Sequence, residues 1–573
     1  MNAERLLEHY ERIADAHDAI SRLRRFILDL AVRGKLVPQD PNDEPALELL
    51  KRIAADKSRL VKAGEKEKPL ASIDADADFD IPPTWRWTRL GTVTSYIQRG
   101  KSPKYAPSDG SPVVSQKCVQ WSGLDLAVAK QVTLESLGEY EDIRFLCDGD
   151  LLWNSTGTGT IGRVIRLVDP PQKLVCDSHV TVVRCFKADP EYIRAWLRSD
   201  HVYGLIEDRA AGSTNQVELT SQMAINQVVP LPPLAEQRRI VAKVDELMAL
   251  CDRLEVASGE REARRDQLTA VTLARLNVPN PATFHEDVRF ALEALPALTR
   301  RLDQIKQLRQ TILNLAVRGK LLPQDPKDEP ASELLKRIAA EKARRVKQGT
   351  LPNQKPLRPI KDEEVEFDLR EGWQWARMAD VMKLWNGFAF QSRDFQSEGV
   401  PVIRIGNLQG GEVKLSHAVH VADAVAKTVG AEVWIPPDAL LIAMSGATTG
   451  KTALNGTGKR LLLNQRVGRI EGFLMSVHFL RFFFETIIAR NLSISSGTAI
   501  PNLSAQQINE TVIAVPPLAE QYRIVAKVDE LMAICDRLGA SLATSEDTRH
   551  RLLDALLHET LTPDEELRVE AAE

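Results

Sequence analysis

Apolar residues at Ile240, Val244, Leu247, Cys251 and Leu254 step by four, three, four and three positions, the spacing of one helix face packed on another. Ile524, Val528, Leu531, Cys535 and Leu538 repeat that pattern. Two comparable stripes lie at Ile20, Leu23, Ile27, Leu30 and at Leu302, Ile305, Leu308, Ile312, Leu315. Four such seams in two pairs predict antiparallel helix pairing. Asn277-Val-Pro-Asn-Pro281 breaks the central segment into two helices, because proline cannot continue the hydrogen-bond ladder. In Asp43-Glu44-Pro45 and Asp328-Glu329-Pro330 the proline suits a first helical turn and the acids suit its positive end. Elsewhere the period shortens. Asp150-Leu-Leu-Trp153, Arg163-Val-Ile-Arg-Leu167, Val180-Thr-Val-Val-Arg184, Ala439-Leu-Leu-Ile-Ala-Met444 and Arg466-Val-Gly-Arg-Ile470 read as short strands between Gly/Ser/Thr/Asp turns. Segments 190–206 and 475–491 read as helices.

The pattern occurs twice. Residues 27–60 and 312–345 are identical at 27 of 34 positions, and 233–254 and 517–538 differ at 2 of 22. Between these blocks, 85–232 and 373–516 diverge, yet both open on Trp-x-Trp (Trp85, Trp87; Trp373, Trp375) and close on Pro-Pro-Leu-Ala-Glu-Gln. A nearly invariant helical frame thus carries two variable inserts. Segments 64–83 and 349–372, rich in proline, lysine and acidic runs, read as surface connectors. The expected organisation is a helical frame at 1–60, a linker at 61–84, a first insert at 85–232 and a central helical spacer at 233–348 broken near 277–296. A linker at 349–372, a second insert at 373–516 and a C-terminal frame at 517–573 complete it. The fold class is α+β: two mixed α/β domains separated and flanked by long antiparallel coiled-coil helices, with a pseudo-two-fold internal repeat.

At 573 residues the chain exceeds a single hydrophobic core. No apolar run approaches the roughly 18 residues of a membrane span, and the first residues are too polar for a secretory signal, so a cytoplasmic protein without membrane contact is expected. Six cysteines without a CxxC pair read as reduced thiols, and ten dispersed histidines supply no metal or nucleophile constellation. No catalytic residue and no metal ligand is therefore nominated. With 75 basic against 79 acidic residues the net charge is -4, so any nucleic-acid contact must rest on local charge or on partners.

Ser445-Gly-Ala-Thr-Thr-Gly-Lys-Thr452 resembles a phosphate-binding G-x4-G-K-[ST] loop but has Ser445 in place of the first glycine. The first insert has Thr156-Gly-Thr-Gly-Thr-Ile-Gly-Arg163 there, without Lys-Thr, so the shared role is not nucleotide hydrolysis. A glycine-rich turn between strands, or a loop offering N–H groups and hydroxyls to DNA, remain as readings. Asp169-Pro-Pro-Gln172 lacks the aromatic of an amino-methyltransferase motif and reads as a turn. The polar loops carry the side chains that read nucleic acid. In the first insert they are Arg99, Lys101, Lys104, Tyr105, Gln116, Lys117, Ser155, Thr156, Thr158, Thr160, Ser213, Thr214, Asn215 and Gln216. In the second they are Gln391, Arg393, Arg404, Asn407, Thr448, Thr449, Lys451, Asn464, Gln465, Arg466 and Thr498. Singly each is more simply a solvated loop residue; as a set they point to DNA. The tryptophans of Trp-x-Trp read as core anchors rather than base-stacking residues.

Helix-linked inserts, Asp-Leu-Leu with Gly-Thr-x-x-Gly at 150–162, its partner at 440–450, and Pro-Leu-Ala-Glu-Gln opening each distal helix resemble the specificity subunit of Type I restriction-modification systems. The resemblance covers nearly the whole chain. LAVRGKLVPQDP before each insert is similar to the subgroup with a helical region ahead of its first target recognition domain. The resemblance implies that each insert reads one half of an asymmetric bipartite sequence in double-stranded DNA. Paired helices then set the spacing, residues 233–276 spanning about 65 Å as one helix. It further implies two methyltransferase subunits that bind S-adenosylmethionine and methylate adenine, and restriction subunits using ATP and Mg, in phage defence; this chain itself carries no cofactor. Two other readings stand beside it: a self-contained DNA-modifying enzyme with drifted motifs, and a coiled-coil scaffold that does not bind DNA.

Overall fold

A computed structural model describes residues 18–60, 79–106, 110–157, 159–206, 218–277, 280, 282–353, 356–446, 448–488 and 502–561. Two compact units emerge: Met1–Arg261 with Glu546–Glu573, and Glu262–Ser545.

In the first unit α1 (Ala19–Val32) and α2 (Ala46–Leu60) precede the insert, α3 (Pro190–Leu197) lies within it, and α4 (Leu234–Asn277) follows. The start of α4 runs antiparallel to α1: Arg24 donates to Asp252 at 2.6 Å and Glu255 at 2.7 Å. Past the end of α1, Asp43 meets Arg239 at 2.6 Å, so this acid serves α4 rather than the first turn of α2. Pro45 sits just ahead of α2, accepting from Glu48 N. One apolar cluster unites Leu30, Leu49 and Ile53 of the frame, Ile240 of α4, and Trp85, Trp153, Tyr192 and Trp196 of the insert. Insert and frame therefore fold as one body. Each buried tryptophan contributes about 4–6 kcal/mol of transfer free energy before entropy is counted.

The first insert contains an antiparallel sheet in the order Thr94–Arg99, Val180–Cys185, Leu151–Asn154, Val164–Arg166. A second sheet is ordered Val175–Cys176, Ser111–Val114, Lys130–Val132, Tyr105–Ala106. A separate core of Tyr96, Val114, Cys118, Leu152, Ile165 and Leu174 packs there. The Asp169-Pro-Pro-Gln172 segment is a turn, with Asp169 at φ 45°.

The second unit repeats the plan with α5 (Leu302–Val317), α6 (Ala331–Lys347), α7 (Val477–Thr486) and α8 (Leu518–Leu561), the residues of α8 from 546 onward belonging to the first unit. Its insert holds a six-stranded sheet centred on Leu440–Ala443 and a five-stranded sheet containing Val400–Ile403 and Leu461–Leu463. Between α4 and α5 two short helices, Phe284–Glu293 and Leu295–Leu298, fill the proline-marked break.

Helix pairing is richer than the seams predict. α5 runs antiparallel to α8, with Arg309 bonded to Asp536. It runs parallel to the last turns of α4: Gln304–Thr269, Asn277–Thr311 and Asn314–Asn277 join residues 35, 34 and 37 positions apart. In the first unit α1 likewise runs parallel to the end of α8, with Arg22–Asp554 and His550–Asp18. Leu302, expected in a seam, is 53% exposed. At this first turn Arg301 reaches Asp266 at 2.5 Å, so a polar contact replaces the apolar one and the seam begins at Ile305.

Segment 349–372 is not a loose connector. Leu351 is buried, and Phe367 and Leu369 pack on the core. The acidic run supplies Glu364 to Arg377, whose side chain is 2% exposed and also donates to the carbonyls of Arg358, Pro359 and Glu510. Hydrogen bonds from Arg377 hold the Glu364 carboxyl down at about 2. The first linker falls outside the described residues for 61–78.

Candidate nucleic-acid interface

Each insert is clasped to its frame where it begins and ends. Arg86–Arg89 pairs antiparallel with Val228–Leu231, and Gln374–Arg377 with Val512–Val515. The clasp brings Trp-x-Trp against Leu-Ala-Glu-Gln. Trp85 Nε1 donates to Glu236 Oε2 at 3.0 Å, and Trp373 Nε1 to Glu520 Oε2 at 3.0 Å. Both carboxyls are pushed above the ordinary glutamate range, chiefly by burial. Gln237 Nε2 donates to Pro232 O while its Oε1 accepts from Asp189 N; Gln521 does the same with Pro516 O and Ser476 N. The shared motifs are thus the joint between frame and insert: Trp85 and Trp373 are core residues, while Trp87 and Trp375 are half-buried against the same clusters.

In each insert the strand ends at Gly100 and Gly387 gather loops by the same backbone contacts. In the first, Asp177 N donates to Val114 O, Ser155 N to His179 O, Leu219 N to Ser155 O, and Asn154 N to Arg163 O. In the second, Asn464 N donates to Ile403 O, Met444 N to Arg466 O, Leu503 N to Met444 O, and Ala443 N to Lys451 O. The strand ends approach so closely that glycine is required. A Cβ on Gly100 would lie 2.2 Å from Asp177 O, and one on Gly387 2.0 Å from Asn464 O. These matched bonds align His179 with Arg466, Arg163 with Lys451, Ser178 with Gln465, Ser115 with Arg404 and Lys101 with Phe388. One backbone arrangement presents two different sets of side chains.

The nominated residues divide accordingly. Lys101, Lys104, Tyr105 and Lys117 are exposed, as are Gln391, Arg393, Arg404, Lys451, Gln465 and Arg466. Gln116 is half-buried and Thr160 caps its own turn through Thr156 O and Gly157 O. Several others turn inward, against expectation. Ser155 is fully buried on Thr181, and Thr156 bonds Gln116 and His179. Asn407 closes a turn between Arg404 N and Lys414 O, Thr449 donates to Gly446 O, and Asn464 is 8% exposed. Thr448 is half-buried with its Oγ1 enclosed. Arg99 is committed to Ser178 O and Glu218, bracing the loop instead of reaching outward. Short polar side chains beside tight turns satisfy the loop's own backbone first. Thr158, Ser213, Thr214, Asn215, Gln216 and Thr498 lie outside the described residues.

The sequence reading missed His179, Arg163 and Phe388. His179 is exposed with Nδ1 2.7 Å from Thr156 Oγ1, and Arg163 donates to Gln120 Oε1 at 2.9 Å. The only signal for them is alignment of the two inserts on the strand ends. The Walker-like loop joins strand Leu440–Ala443 to strand Thr452–Leu454 in an antiparallel pair, not a strand to a helix. It therefore lacks the helix N-terminus on which a phosphate loop depends. Among the described residues no group of three or more His, Cys, Asp or Glu converges as a metal site, and no helix is long and apolar enough to cross a membrane.

A duplicated frame holds two equivalent loop platforms with exposed cations and amides. Known proteins resemble the chain over nearly its whole length. The Type I restriction modification DNA specificity domain matches residues 370–542. The Type I restriction enzyme EcoAI specificity subunit of Escherichia coli is 34% identical across 94% of this chain and 93% of its own length. The EcoEI specificity subunit of the same species is 29% identical across 94% and 93%. A chain solved in a study of complex assembly and conformational transition of the type I R-M system aligns over 85% of this chain and all of its own, with TM-score 0.51 and 20% identity; that likeness concerns the fold. The chain belongs to the Type I restriction enzyme specificity subunits, the DNA-specificity component of these systems rather than an enzyme.

Proposed function

We propose that each insert reads one half of an asymmetric bipartite DNA target through its loop end. The insert boundaries are 85–232 and 373–516, and α4 sets the separation of the halves. The frame helices dock two methyltransferase subunits, which bind S-adenosylmethionine and methylate adenine. Restriction subunits with ATP and Mg complete the complex. The observation that carries this reading is the matched loop backbone bearing unlike side chains, which suits one docking geometry used on two sequences. The DNA-facing set is Lys101, Lys104, Tyr105, Lys117 and His179 in the first insert, and Gln391, Arg393, Arg404, Lys451, Gln465 and Arg466 in the second. Local cations reconcile DNA contact with a net charge of -4, the partners supplying further phosphate grip.

The test is methyl transfer from labelled S-adenosylmethionine to DNA. The expected result is no transfer by the purified chain alone and site-specific transfer once methyltransferase subunits are added. Turnover by the chain alone contradicts the adaptor role.

A further inference from the structure

At the backbone position where the first insert presents Lys101, the second presents an aromatic ring. Phe388 follows Gly387 as Lys101 follows Gly100, and it is 45% exposed. Its backbone is clamped on both sides: Phe388 N donates to Leu463 O at 2.8 Å and Phe388 O accepts from Gln465 N at 3.0 Å. The ring stands edge-on to Phe390, centroids 5.0 Å apart, and Phe390 is buried in the core of the insert. The side chain is thus held at the surface by a rigid base, beside the loop that carries Gln465 and Arg466. Leu474, the other large apolar side chain exposed among the described residues of this insert, lies past the opposite end of the Val467–Gly472 strand.

An exposed ring gains nothing from phosphates. In DNA its apolar partners are the thymine methyl and the faces of bases at an opened step. Because the ring is already fixed, little side-chain entropy is lost when it is covered. Surrounding amide and guanidinium groups favour nucleic acid over an apolar protein partner. We propose that Phe388 is a specificity-determining residue of the second insert, pressing its ring on base surface where the first insert uses Lys101 for a phosphate. This rests on the assignment of the loop end as the DNA-facing side.

The experiment uses the full chain assembled with its methyltransferase subunits and a duplex carrying the methylated motif mapped in the host genome. Phe388→Ala is expected to weaken binding about tenfold or more, with the salt slope unchanged. The loss of discrimination falls in one half-site only. Lys101→Ala lowers the salt slope by about one and leaves discrimination in the first insert's own half-site intact. Phe388→Tyr, which keeps the ring, retains binding and shows that Phe388→Ala acts through the contact and not through misfolding. Uracil replacing each thymine, and 2-aminopurine at each adenine, separate methyl contact from an opened step; a response to neither overturns the proposal. Unchanged affinity in Phe388→Ala overturns it too, as does weakened assembly with methyltransferase subunits before DNA is added, which assigns the ring to a protein contact. Lys451→Ala with Arg466→Ala tests the underlying assignment. If that pair weakens DNA binding while Phe388→Ala does not, only the role of Phe388 fails. If neither does, the loop end is not the DNA-facing side.

Discussion

Replacing Gly387 by alanine tests whether the loop platform depends on the close backbone approach seen in both inserts. The added methyl would lie 2.0 Å from Asn464 O and 2.7 Å from Leu463 O. A carbon–oxygen contact relaxes to about 3.3 Å, so the two segments must part by more than about 1 Å. That movement breaks the bonds of Phe388 N to Leu463 O and Gln465 N to Phe388 O, at 2.8 and 3.0 Å. Two backbone hydrogen bonds at about 1 kcal/mol each, with overpacking against rigid carbonyls, give a loss of about 2–5 kcal/mol. Gly406 is the control, because a Cβ there meets nothing within 4 Å. Gly406→Ala should stay within about 0.5 kcal/mol of the parent or gain slightly. Urea denaturation of both variants measures the difference as a shift in midpoint at constant slope. DNA binding by Gly387→Ala should lose discrimination in one half-site only. Equal midpoints for the two variants would refute the argument that carbonyl proximity dictates glycine.

Further outcomes follow from the joints between frame and insert. Trp373→Phe removes the indole donor from the buried Glu520 carboxylate and should cost about 1–3 kcal/mol, and Glu520→Gln in that background should recover part of it, measured as a double-mutant cycle. Because burial raises Glu236 and Glu520 in the folded chain, their ionisation opposes folding as pH climbs above the ordinary glutamate range. Glu236→Gln with Glu520→Gln should therefore flatten the decline in urea midpoint on that side, and an unchanged profile contradicts the assignment. Glu364 has the opposite sign: its ion pair with Arg377 contributes above the ordinary range and is lost as pH falls towards about 2, so Arg377→Ala should remove that acid sensitivity. Arg345→Leu, which installs the residue of the first copy, breaks the 2.8 Å pair with Glu471 and should lower the melting temperature of the second unit's transition. Lys451→Ala should reduce the salt slope of DNA binding by about one, and equilibrium dialysis should detect no ATP on either protein.

Much of this organisation was legible because duplication doubles the signal. Residues common to both copies, such as Trp85 and Trp373 or Glu236 and Glu520, turned out to be the joints, whose geometry is repeated to within the same 3.0 Å bond. Strands such as Leu151–Asn154 and Leu440–Ala443 were readable because they are buried apolar runs between turn residues. Illegible were the features fixed by distant partners. Ser155 and Asn407 carry the right chemistry for reading DNA, yet each satisfies its own loop, a choice no local pattern reveals. His179 and Phe388 carry no motif and gain meaning only when Gly100 and Gly387 show which backbone positions correspond. The acidic run near 361–368 resembles a solvated linker until Arg377, buried and in need of a counter-charge, is placed beside it.

On this reading, two inserts on one duplicated frame read two halves of a DNA target independently. Mapping methylated adenines in a host that expresses the complete modification complex tests it most directly, once with the parent chain and once with residues 85–232 exchanged for the corresponding insert of another family member. The expected result is an asymmetric bipartite motif in which one half changes while the other half and the spacing persist. A change in both halves, or a single uninterrupted motif, would contradict it.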